Sequence, residues 1–452
     1  VGNCGFSAAP RDPELRFAAS MHPGYPIPDF EGFGGYVGYV DANPPGVNIG
    51  VLAGHGSIRA AAMGRTATDP KHQPSPSELS TMIELLNEGL DAGVLGLSTG
   101  LVYQPGRNAT TDELVAVASV MAGTGALYAT HMRDEGDRLV ESVAEAIDIG
   151  RRAGVPVQVS HHKAAGPANW GKVVQSLALI DQARAEGLVV NADQYPYTAG
   201  STTLESVLDN YRIVDDDHPE SGATDGATLP GSRLVVASCE TKPEWEGRSM
   251  RELGAMFGST ADQASRTVLD AAPTATVILH MMDEADVRTV MIHPSTVIGS
   301  DGLPTLDGRP HPRLYNTFAR VLGHYARDLN LLSMAEAVAR MTGRSAEIFG
   351  LADRGYLRPG YAADVVVFDP VTIIDRGTFT DPNHHPDGIQ QVFVNGEAVV
   401  SDGDPTGARP GQVLRRSGAV KAGGRSWPDR AEPRVEPASS ARPRSRQTEE
   451  TR

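Results

Sequence analysis

Short apolar runs followed by stretches of helical spacing recur along the first part of the chain. Residues 127–130 and 155–160 are two such runs, rich in β-branched residues, as in strands that are buried on both faces of a parallel sheet. Between them, residues 135–152 place their apolar side chains on one stripe at helical spacing, and Gly154 ends the helix. The pattern therefore predicts a βαβ unit. Because such crossovers are right-handed, its two strands lie side by side and point the same way.

The same alternation continues through residues 1–350. Further strands of this kind are predicted over residues 48–55, 94–98, 188–193, 275–280 and 296–299. Further helices are predicted over residues 77–89, 110–122, 170–186, 284–293, 315–328 and 334–349. This rhythm is typical of a (β/α)8 TIM barrel, although a doubly wound sheet would share much of it. We therefore predict the α/β class, with a barrel domain over residues 1–350.

Three regions depart from this rhythm. Residues 200–263 are longer than a single loop needs, so they are predicted to form an insertion, a lid-like subdomain on the active-site side. From residue 351 the period changes to two, with Asn395 and Gly396 as a hairpin turn, which predicts a small β domain over residues 351–416. Residues 417–452 have almost nothing to bury and are predicted to be a disordered tail.

Charge and cysteine content narrow the choice of partners and compartment. The net charge of −16 argues against nucleic acid or an anionic membrane as the main partner. No run of apolar residues is long enough to span a bilayer. The only cysteines are Cys4 and Cys239, which fits a reducing cytoplasm. The chain begins with Val1, inside a motif that resembles a strand end, so we expect it to lack its true N-terminus.

Candidate metal ligands fall at the predicted strand ends. His131 and His161 each follow a strand of the βαβ unit, so they are neighbours at the carboxyl edge, where α/β folds build active sites. Imidazole suits zinc, whose catalytic sites leave one position open for water. Cys4 and Asp301 fall on the same rim. A thiolate is a strong zinc ligand, and Asp301 could serve as ligand, general base or both. Each of these residues alone more often has a structural role, but together they favour a metal site.

Several sequence motifs are unusual enough to be specific. They are VGNCGFS, GLSTGLVYQPG, YATHMRDEGD, SHHKAAG, DQYPYTAG, VIGSDG and HPRLYNTFARVLG, followed by GYAADVVVFDP and VFVNGE. Together they resemble the D-aminoacylases, the N-acyl-D-amino-acid deacylases of the amidohydrolase superfamily, over residues 1–416. The resemblance implies a zinc-dependent (β/α)8 barrel with a small β-sandwich built from both chain ends. It also implies hydrolysis of N-acyl-D-amino acids.

The resemblance further implies roles for individual residues. Cys4, His131 and His161 would hold one tightly bound zinc ion, with Cys4 in the bridging place that a carboxylated lysine has in many relatives. Asp301 would be the catalytic acid/base. The substrate carboxylate needs a cation, and Lys163, two residues after His161, is the first choice.

Two tyrosines complete the predicted site, and His162 is not expected to be a ligand. Tyr103 and Tyr195 are predicted to be hydrogen-bond donors at the rim, which the matching motifs support. His162 is predicted to point to the opposite face from His161, because side chains alternate along a strand.

One feature of the family is absent from this sequence. The family carries a His-x-His pair on the first barrel strand, upstream of the cysteine motif, and this chain begins after that point. A second, weaker metal site is therefore unsupported, and the barrel and the sandwich lack their first strands. Truncation would explain the gap, and a degenerate gene product is the other explanation.

Two alternative functions stay open at this stage. One is the opening of a cyclic amide, as in dihydroorotases and hydantoinases. The presence of a cysteine where those enzymes have a metal-bridging lysine argues against it. The other is a catalytically silent barrel that serves in binding or assembly. The missing His-x-His pair keeps that alternative open, whereas the retention of Cys4, His131, His161 and Asp301 weighs against it.

Overall fold

The structure, a computed structural model, describes residues 1–11, 28–216, 227–303 and 308–416. Within these ranges the strands are β1 Ile49–Gly50, β2 Leu52–Gly54, β3 Gly96–Gly100, β4 Leu127–His131, β5 Val157–Val159, β6 Val190–Gln194, β7 Ala199–Thr203, β8 Tyr211–Val214, β9 Ala227–Pro230, β10 Leu234–Ser238, β11 Thr276–His280, β12 Thr296–Ile298, β13 Val365–Phe368, β14 Ile389–Val394, β15 Glu397–Ser401, β16 Asp404–Pro405 and β17 Val413–Leu414. The α-helices are α1 Gly32–Ala42, α2 His55–Met63, α3 Pro76–Ala92, α4 Thr111–Ala118, α5 Leu139–Ala153, α6 Val173–Ala185, α7 Leu204–Asn210, α8 Met250–Phe257, α9 Ala261–Ala271, α10 Glu284–Ile292, α11 Arg313–Arg320, α12 Met334–Met341 and α13 Gly343–Ile348. A π-helix spans Val321–Asp328.

Six parallel strands form the main sheet, in the order β12–β6–β5–β4–β3–β2. Helices α3 to α6 lie between successive strands of this sheet along the chain. The predicted βαβ unit is confirmed, since β4 and β5 are parallel neighbours, with Tyr128 opposite Val157. The carboxyl ends of all six strands therefore meet at one edge, where the site is built.

Local sequence signals set the bounds of the helices that cover this sheet. Ser75 and Glu78 form a capping box at the start of α3, with Pro76 as its first residue. Gly154, at φ 70°, ends α5 in the left-handed conformation. The apolar stripe of α5 includes Val143 and Ile147, and it packs into the large core between the helices and the sheet. The helical spacing of apolar residues therefore predicted correctly which face of α5 is buried.

The prediction that residues 275–280 resume the parallel rhythm is wrong. Strand β11 instead pairs antiparallel with both β7 and β10, in a three-stranded sheet outside the main one. A short buried apolar run looks the same in parallel and antiparallel sheets, so the pattern could not separate them. Side chains from Leu204 to Met282 contribute to a second hydrophobic core in this region. The interruption of the parallel sheet therefore extends from β7 to β11.

Strands β13 to β16 form a four-stranded antiparallel sheet near the C-terminal end. Asn395 and Gly396, both with positive φ, make the predicted hairpin turn between β14 and β15. The first and last strands of the described residues, β1 and β17, form a short parallel pair. The predicted tail, residues 417–452, lies outside the described residues. Within the described ranges, no helix is both long enough and apolar enough to cross a membrane.

Candidate metal centre

Three side chains at the carboxyl edge of the main sheet lie close enough to share one metal ion. The ligand atoms of Cys4, His131 and His161 all lie within 4.8 Å of one another. Cys4 Sγ is 3.5 Å from His161 Nε2. The imidazole rings of His131 and His161 meet edge to face, with 4.3 Å between their centroids. The structure thus brings together three of the four residues that the sequence indicates as ligands.

The backbone is unusual at several of the predicted site residues. Cys4, His161 and Asp301 have φ values of 53°, 38° and 47°, in the left-handed region that most side chains avoid. Such conformations persist only where surrounding contacts impose them. At His161 the contact is Asp193 on β6, whose Oδ1 accepts the His161 N–H at 2.7 Å. Gln158 Nε2 donates to the other oxygen of Asp193 at 2.6 Å and fixes that carboxylate.

The segment that carries Cys4 runs beside the end of strand β2. Leu52 N–H donates to the Val1 carbonyl at 2.9 Å. The backbone of Gly5 is held on both sides, because its N–H donates to Ser98 Oγ at 3.2 Å and its carbonyl accepts from Ser57 N–H at 3.2 Å. A Cβ at Gly54 would lie 2.6 Å from the Gly5 carbonyl oxygen, so this close approach requires glycine. These contacts hold the thiol at the rim.

Glu135 contacts both histidines, and the sequence reasoning missed it. Its Oε1 lies 2.9 Å from His161 Nδ1, and its Oε2 lies 3.6 Å from His131 Nε2. It also forms an ion pair with Lys163. Burial alone would raise the pKa of Glu135, but Lys163 and the two histidines hold it well below its usual range. The carboxyl group is therefore ionised. The motif YATHMRDEGD contains this residue, but a loop position without periodicity gave no further signal.

Lys163, the predicted substrate cation, is buried and already engaged. Its ammonium pairs with Glu135 and donates to the His161 carbonyl at 2.9 Å. The nitrogen also lies 5.7 Å from the ring centroid of Tyr195, within reach of a cation–π contact. The structure thus places Lys163 beside the metal ligands, where its charge is shared with a carboxylate.

Asp301 is paired with a second cation, Arg313, which the sequence reasoning also missed. Arg313 Nη2 lies 2.9 Å from Asp301 Oδ2. The arginine is 2 % exposed, and its Nε and Nη1 atoms have no hydrogen-bond partner among the described residues. Its guanidinium lies 4.5 Å from the ring centroid of Tyr195. Asp301 does not belong to the three-residue ligand group, so its predicted role as a fourth ligand stays a prediction.

The two predicted tyrosines lie on opposite sides of these groups. Tyr103 packs against His131, with 4.9 Å between the ring centroids, and its hydroxyl lies 3.1 Å from Thr202 Oγ1 on β7. Burial raises the pKa of Tyr103 well above its usual value, so it remains a neutral hydroxyl. The Tyr195 hydroxyl instead faces the sulfur of Met282 at 3.9 Å. Both rings therefore line the site, but neither hydroxyl contacts a predicted ligand.

His162 does not belong to the ligand group, but strand β5 ends at Val159, so the alternation on which the prediction relied does not reach it. The residue is fully buried, and its Nε2 lies 2.8 Å from the hydroxyl of Ser176 on helix α6. Burial lowers the pKa of His162 to about 3, so its ring is neutral.

The three donors fit a zinc ion. A thiolate and two imidazoles are a typical zinc donor set, and such a set leaves a fourth position open. The Nδ1 atom of His131 is buried and has no hydrogen-bond partner among the described residues, which a bound metal would supply. Burial also lowers the pKa of His131 well below its usual value. Its ring is therefore neutral. The pKa of His161 shifts the other way: burial and Lys163 lower it, but Glu135, Asp301 and Cys4 raise it more. Burial raises the pKa of the Cys4 thiol, so metal binding would have to displace protons at these two donors.

The fold and the donor set at the strand ends define the metal-dependent amidohydrolase class. In agreement, the profile of the amidohydrolase family matches residues 178–400 of the chain. An N-acyl-D-glutamate deacylase of Alcaligenes xylosoxydans xylosoxydans is 41% identical over 93% of this chain and 80% of its own. A D-aminoacylase of the same organism is 41% identical over 93% of this chain and 81% of its own.

Solved structures agree with these sequence relatives. A crystal structure of D-aminoacylase superimposes with a TM-score of 0.80 at 40% identity, covering 92% of this chain and 82% of the other. The N-acyl-D-glutamate deacylase of Bordetella bronchiseptica, complexed with zinc and a phosphonate inhibitor, gives 0.79 at 39% identity and covers 92% and 81%. The chain belongs to the D-aminoacylase, or N-acyl-D-amino-acid deacylase, family of the amidohydrolase superfamily. It has the α/β fold of that family, with a β domain.

Proposed function

We propose that the protein hydrolyses N-acyl-D-amino acids to a carboxylic acid and a free D-amino acid. The observation that carries the proposal is the convergence of Cys4, His131 and His161 ligand atoms within 4.8 Å at the edge of the parallel sheet. About 40% identity to deacylases over most of the chain supports the same reaction. These three residues would hold one zinc ion.

The chain supplies the groups that such a hydrolysis needs around the metal. When bound, zinc acts as a Lewis acid that makes water nucleophilic at neutral pH and polarises a carbonyl. Asp301 would accept the proton of the attacking water at a carboxylate oxygen and return it to the nitrogen of the leaving amine. Arg313, 2.9 Å from Oδ2, fixes the orientation of this carboxylate. We therefore assign the acid/base role to Asp301 and a positioning role to Arg313.

Two buried cations are available for the carboxylate of the substrate. The ring of Tyr195 lies near both, with Arg313 at 4.5 Å and Lys163 at 5.7 Å from its centroid. Arg313 has two nitrogen atoms without a hydrogen-bond partner in the described part of the chain, and a carboxylate would satisfy them. Lys163 would contribute its charge beside them. Tyr103, against the ring of His131, would close the opposite wall.

The finer architecture belongs to the same proposal. The main sheet would belong to a (β/α)8 barrel over residues 1–350 that lacks its first strand, with the open edges at β2 and β12. Residues 200–263 would be its insertion, and residues 351–416 would form a sandwich-type domain. The described residues offer one group of three ligands, which would hold one zinc ion. Both cysteines carry free thiols, in keeping with a cytoplasmic location.

Zinc content and substrate range test this proposal together. The purified chain should hold about one zinc ion, by the single donor set, and release D-methionine, D-glutamate or D-aspartate from its N-acetyl form. The N-acetyl-L-amino acids serve as controls and should not react. Opening of a hydantoin or dihydroorotate ring, with acyl-D-amino acids untouched, would establish the cyclic amidase alternative. A protein without zinc and without activity would establish the silent one.

A further inference from the structure

We propose that Glu135 is a positioning residue that sets which nitrogen of each histidine faces the metal and couples both rings to Lys163. The inference rests on the proposed metal site and concerns a residue outside the donor set. Glu135 is the only carboxylate for which the described part of the chain shows ion-pair contacts to both His131 and His161. Its side chain is 11% exposed, so water competes little for these contacts.

The orientation of the His161 ring follows from its two nitrogen atoms. Nε2 faces Cys4 Sγ at 3.5 Å, whereas Nδ1 faces Glu135 Oε1 at 2.9 Å. Nδ1 also lies 2.9 Å from Lys163 Nζ, so both members of the Glu135–Lys163 pair face this nitrogen. Nε2 is the nitrogen left to point toward the thiol. A carboxylate that holds the far nitrogen of a metal ligand in this way is a common arrangement in metal sites.

The His131 ring is turned the other way. Its Nε2 faces Glu135 Oε2 at 3.6 Å, which is a charge contact rather than a hydrogen bond. Its Nδ1 is buried and has no hydrogen-bond partner among the described residues. With Nε2 turned to the carboxylate, Nδ1 is the nitrogen of His131 left to face a metal. A single carboxylate thus contacts opposite nitrogen atoms of the two rings, which leaves Nδ1 at His131 and Nε2 at His161 to face the metal.

Glu135 is itself held from two directions. Its carbonyl accepts the Ala165 N–H at 2.7 Å, which joins the loop after β4 to the loop after β5. Its side chain pairs with Lys163, which lies after β5 and also donates to the His161 carbonyl. The carboxylate is therefore fixed relative to both strands that carry the histidines. Through the same oxygen, Oε1, it joins His161 to the proposed substrate cation.

Glu135→Gln tests this assignment, because it keeps the size of the side chain and removes its charge. The chelator concentration that removes half of the zinc should fall by about 10- to 100-fold, the usual cost of losing an outer partner of a metal ligand. Glu145→Gln is the matched control. Glu145 Oε1 lies 2.9 Å from Nη2 of Arg133, a cation two residues after His131. Among the ion pairs of the described residues, Glu145 has none with the ring of His131 or His161. Zinc retention in this control should equal that of the unchanged protein.

The zinc measurement needs no substrate, so the two proposals can fail separately. If Glu135→Gln and Glu145→Gln hold zinc equally well, the positioning role is wrong and the deacylase proposal is unaffected. If zinc binds but no acyl-D-amino acid is cleaved, the deacylase proposal is wrong, and the chelator series still decides the role of Glu135. Should Glu135→Gln not fold, Glu135→Asp replaces it. This variant keeps the charge on a shorter arm, and weaker zinc retention than in Glu145→Gln would support the role.

Discussion

Two carboxylate–cation pairs lie at the same edge of the sheet, but they contact different parts of the site. Glu135 and Lys163 lie in the loops after β4 and β5 and contact the histidines directly. Asp301 and Arg313 lie after β12 and at the start of α11, and Arg313 packs on Tyr195. The first pair therefore contacts the histidines themselves, and the second contacts Tyr195, whose ring also lies near Lys163.

We infer that metal binding and proton transfer would have separate supports in the chain. Changes at the first pair should alter how tightly zinc is held. Changes at the second should alter catalysis while zinc stays bound. Four sets of substitutions test this separation, in decreasing order of expected effect.

Removal of the thiol should abolish both properties. Cys4→Ala leaves two imidazoles, too few protein donors for a stable zinc site. We expect no zinc after dialysis and a loss of activity of about three orders of magnitude or more, since the metal contributes several kcal/mol of transition-state stabilisation. Elemental analysis and the deacylase assay measure the two effects. Full zinc content in this variant would contradict the assignment of Cys4.

Asp301→Asn should separate the two properties. Zinc should remain, because Cys4, His131 and His161 are unchanged. The turnover number, kcat, should fall by about 10²- to 10⁴-fold, the usual contribution of a general acid/base. Loss of zinc together with activity would instead indicate that Asp301 is a fourth ligand, and the distinction between the two pairs would then fail.

The two cations should differ in their effect on substrate binding. Arg313→Met should raise KM by about 10- to 100-fold, since a hydrogen bond to a charged group contributes about 1.5–3 kcal/mol. Lys163→Met should raise KM less, because the Lys163 ammonium is already bonded to Glu135 and to the His161 carbonyl, whereas Arg313 keeps two nitrogen atoms without a partner among the described residues. Steady-state kinetics with N-acetyl-D-methionine measures both. Arg288→Met is the control, as Arg288 is half-exposed on α10 and pairs with Glu284. Equal KM values in all three variants would contradict the proposed carboxylate site.

Glu113 is a buried carboxylate outside these two pairs, and its substitution should change only the stability of the fold. It pairs with His55 at 2.9 Å and with Arg59 at 3.0 Å, between α2 and α4. Burial raises its pKa, but these partners lower it more, so the net shift is downward. The ionised form therefore stabilises the fold above the unfolded pKa of about 4.3, and this stabilisation is lost as the pH falls below it.

Glu113→Gln should accordingly lower the free energy of unfolding near neutral pH by about 3 kcal/mol, the cost of breaking a buried pair. The difference from the unchanged protein should shrink as the pH falls below about 4. Denaturant unfolding at several pH values measures it. Zinc content and kcat should not change. Loss of zinc from this variant would show that an ion pair far from the ligands can also affect the metal site. The contrast between the Glu135–Lys163 and Asp301–Arg313 pairs would then be contradicted.

Periodicity in the sequence predicted the main strands and helices. It did not predict contacts between side chains that are distant in the sequence and meet only in the folded protein. Strand and helix spacing placed His131 and His161 side by side, and the structure confirms that position. Glu135 and Arg313 lie outside strands, so no alternation marked them. The antiparallel pairing of β11 was missed because apolar content alone does not specify strand direction. Resemblance to a family supplied the roles of Cys4 and Asp301, which spacing could not.

The left-handed backbone at Cys4, His161 and Asp301 makes the active edge thermodynamically costly. Each such conformation costs on the order of 1–3 kcal/mol in a residue with a side chain. Glycine would relieve that cost, but it carries no thiol, imidazole or carboxylate. Evolution toward heat resistance alone would therefore favour loss of these residues. Thermostabilising substitutions for this protein are best sought away from the rim, where gains in stability do not compete with chemistry.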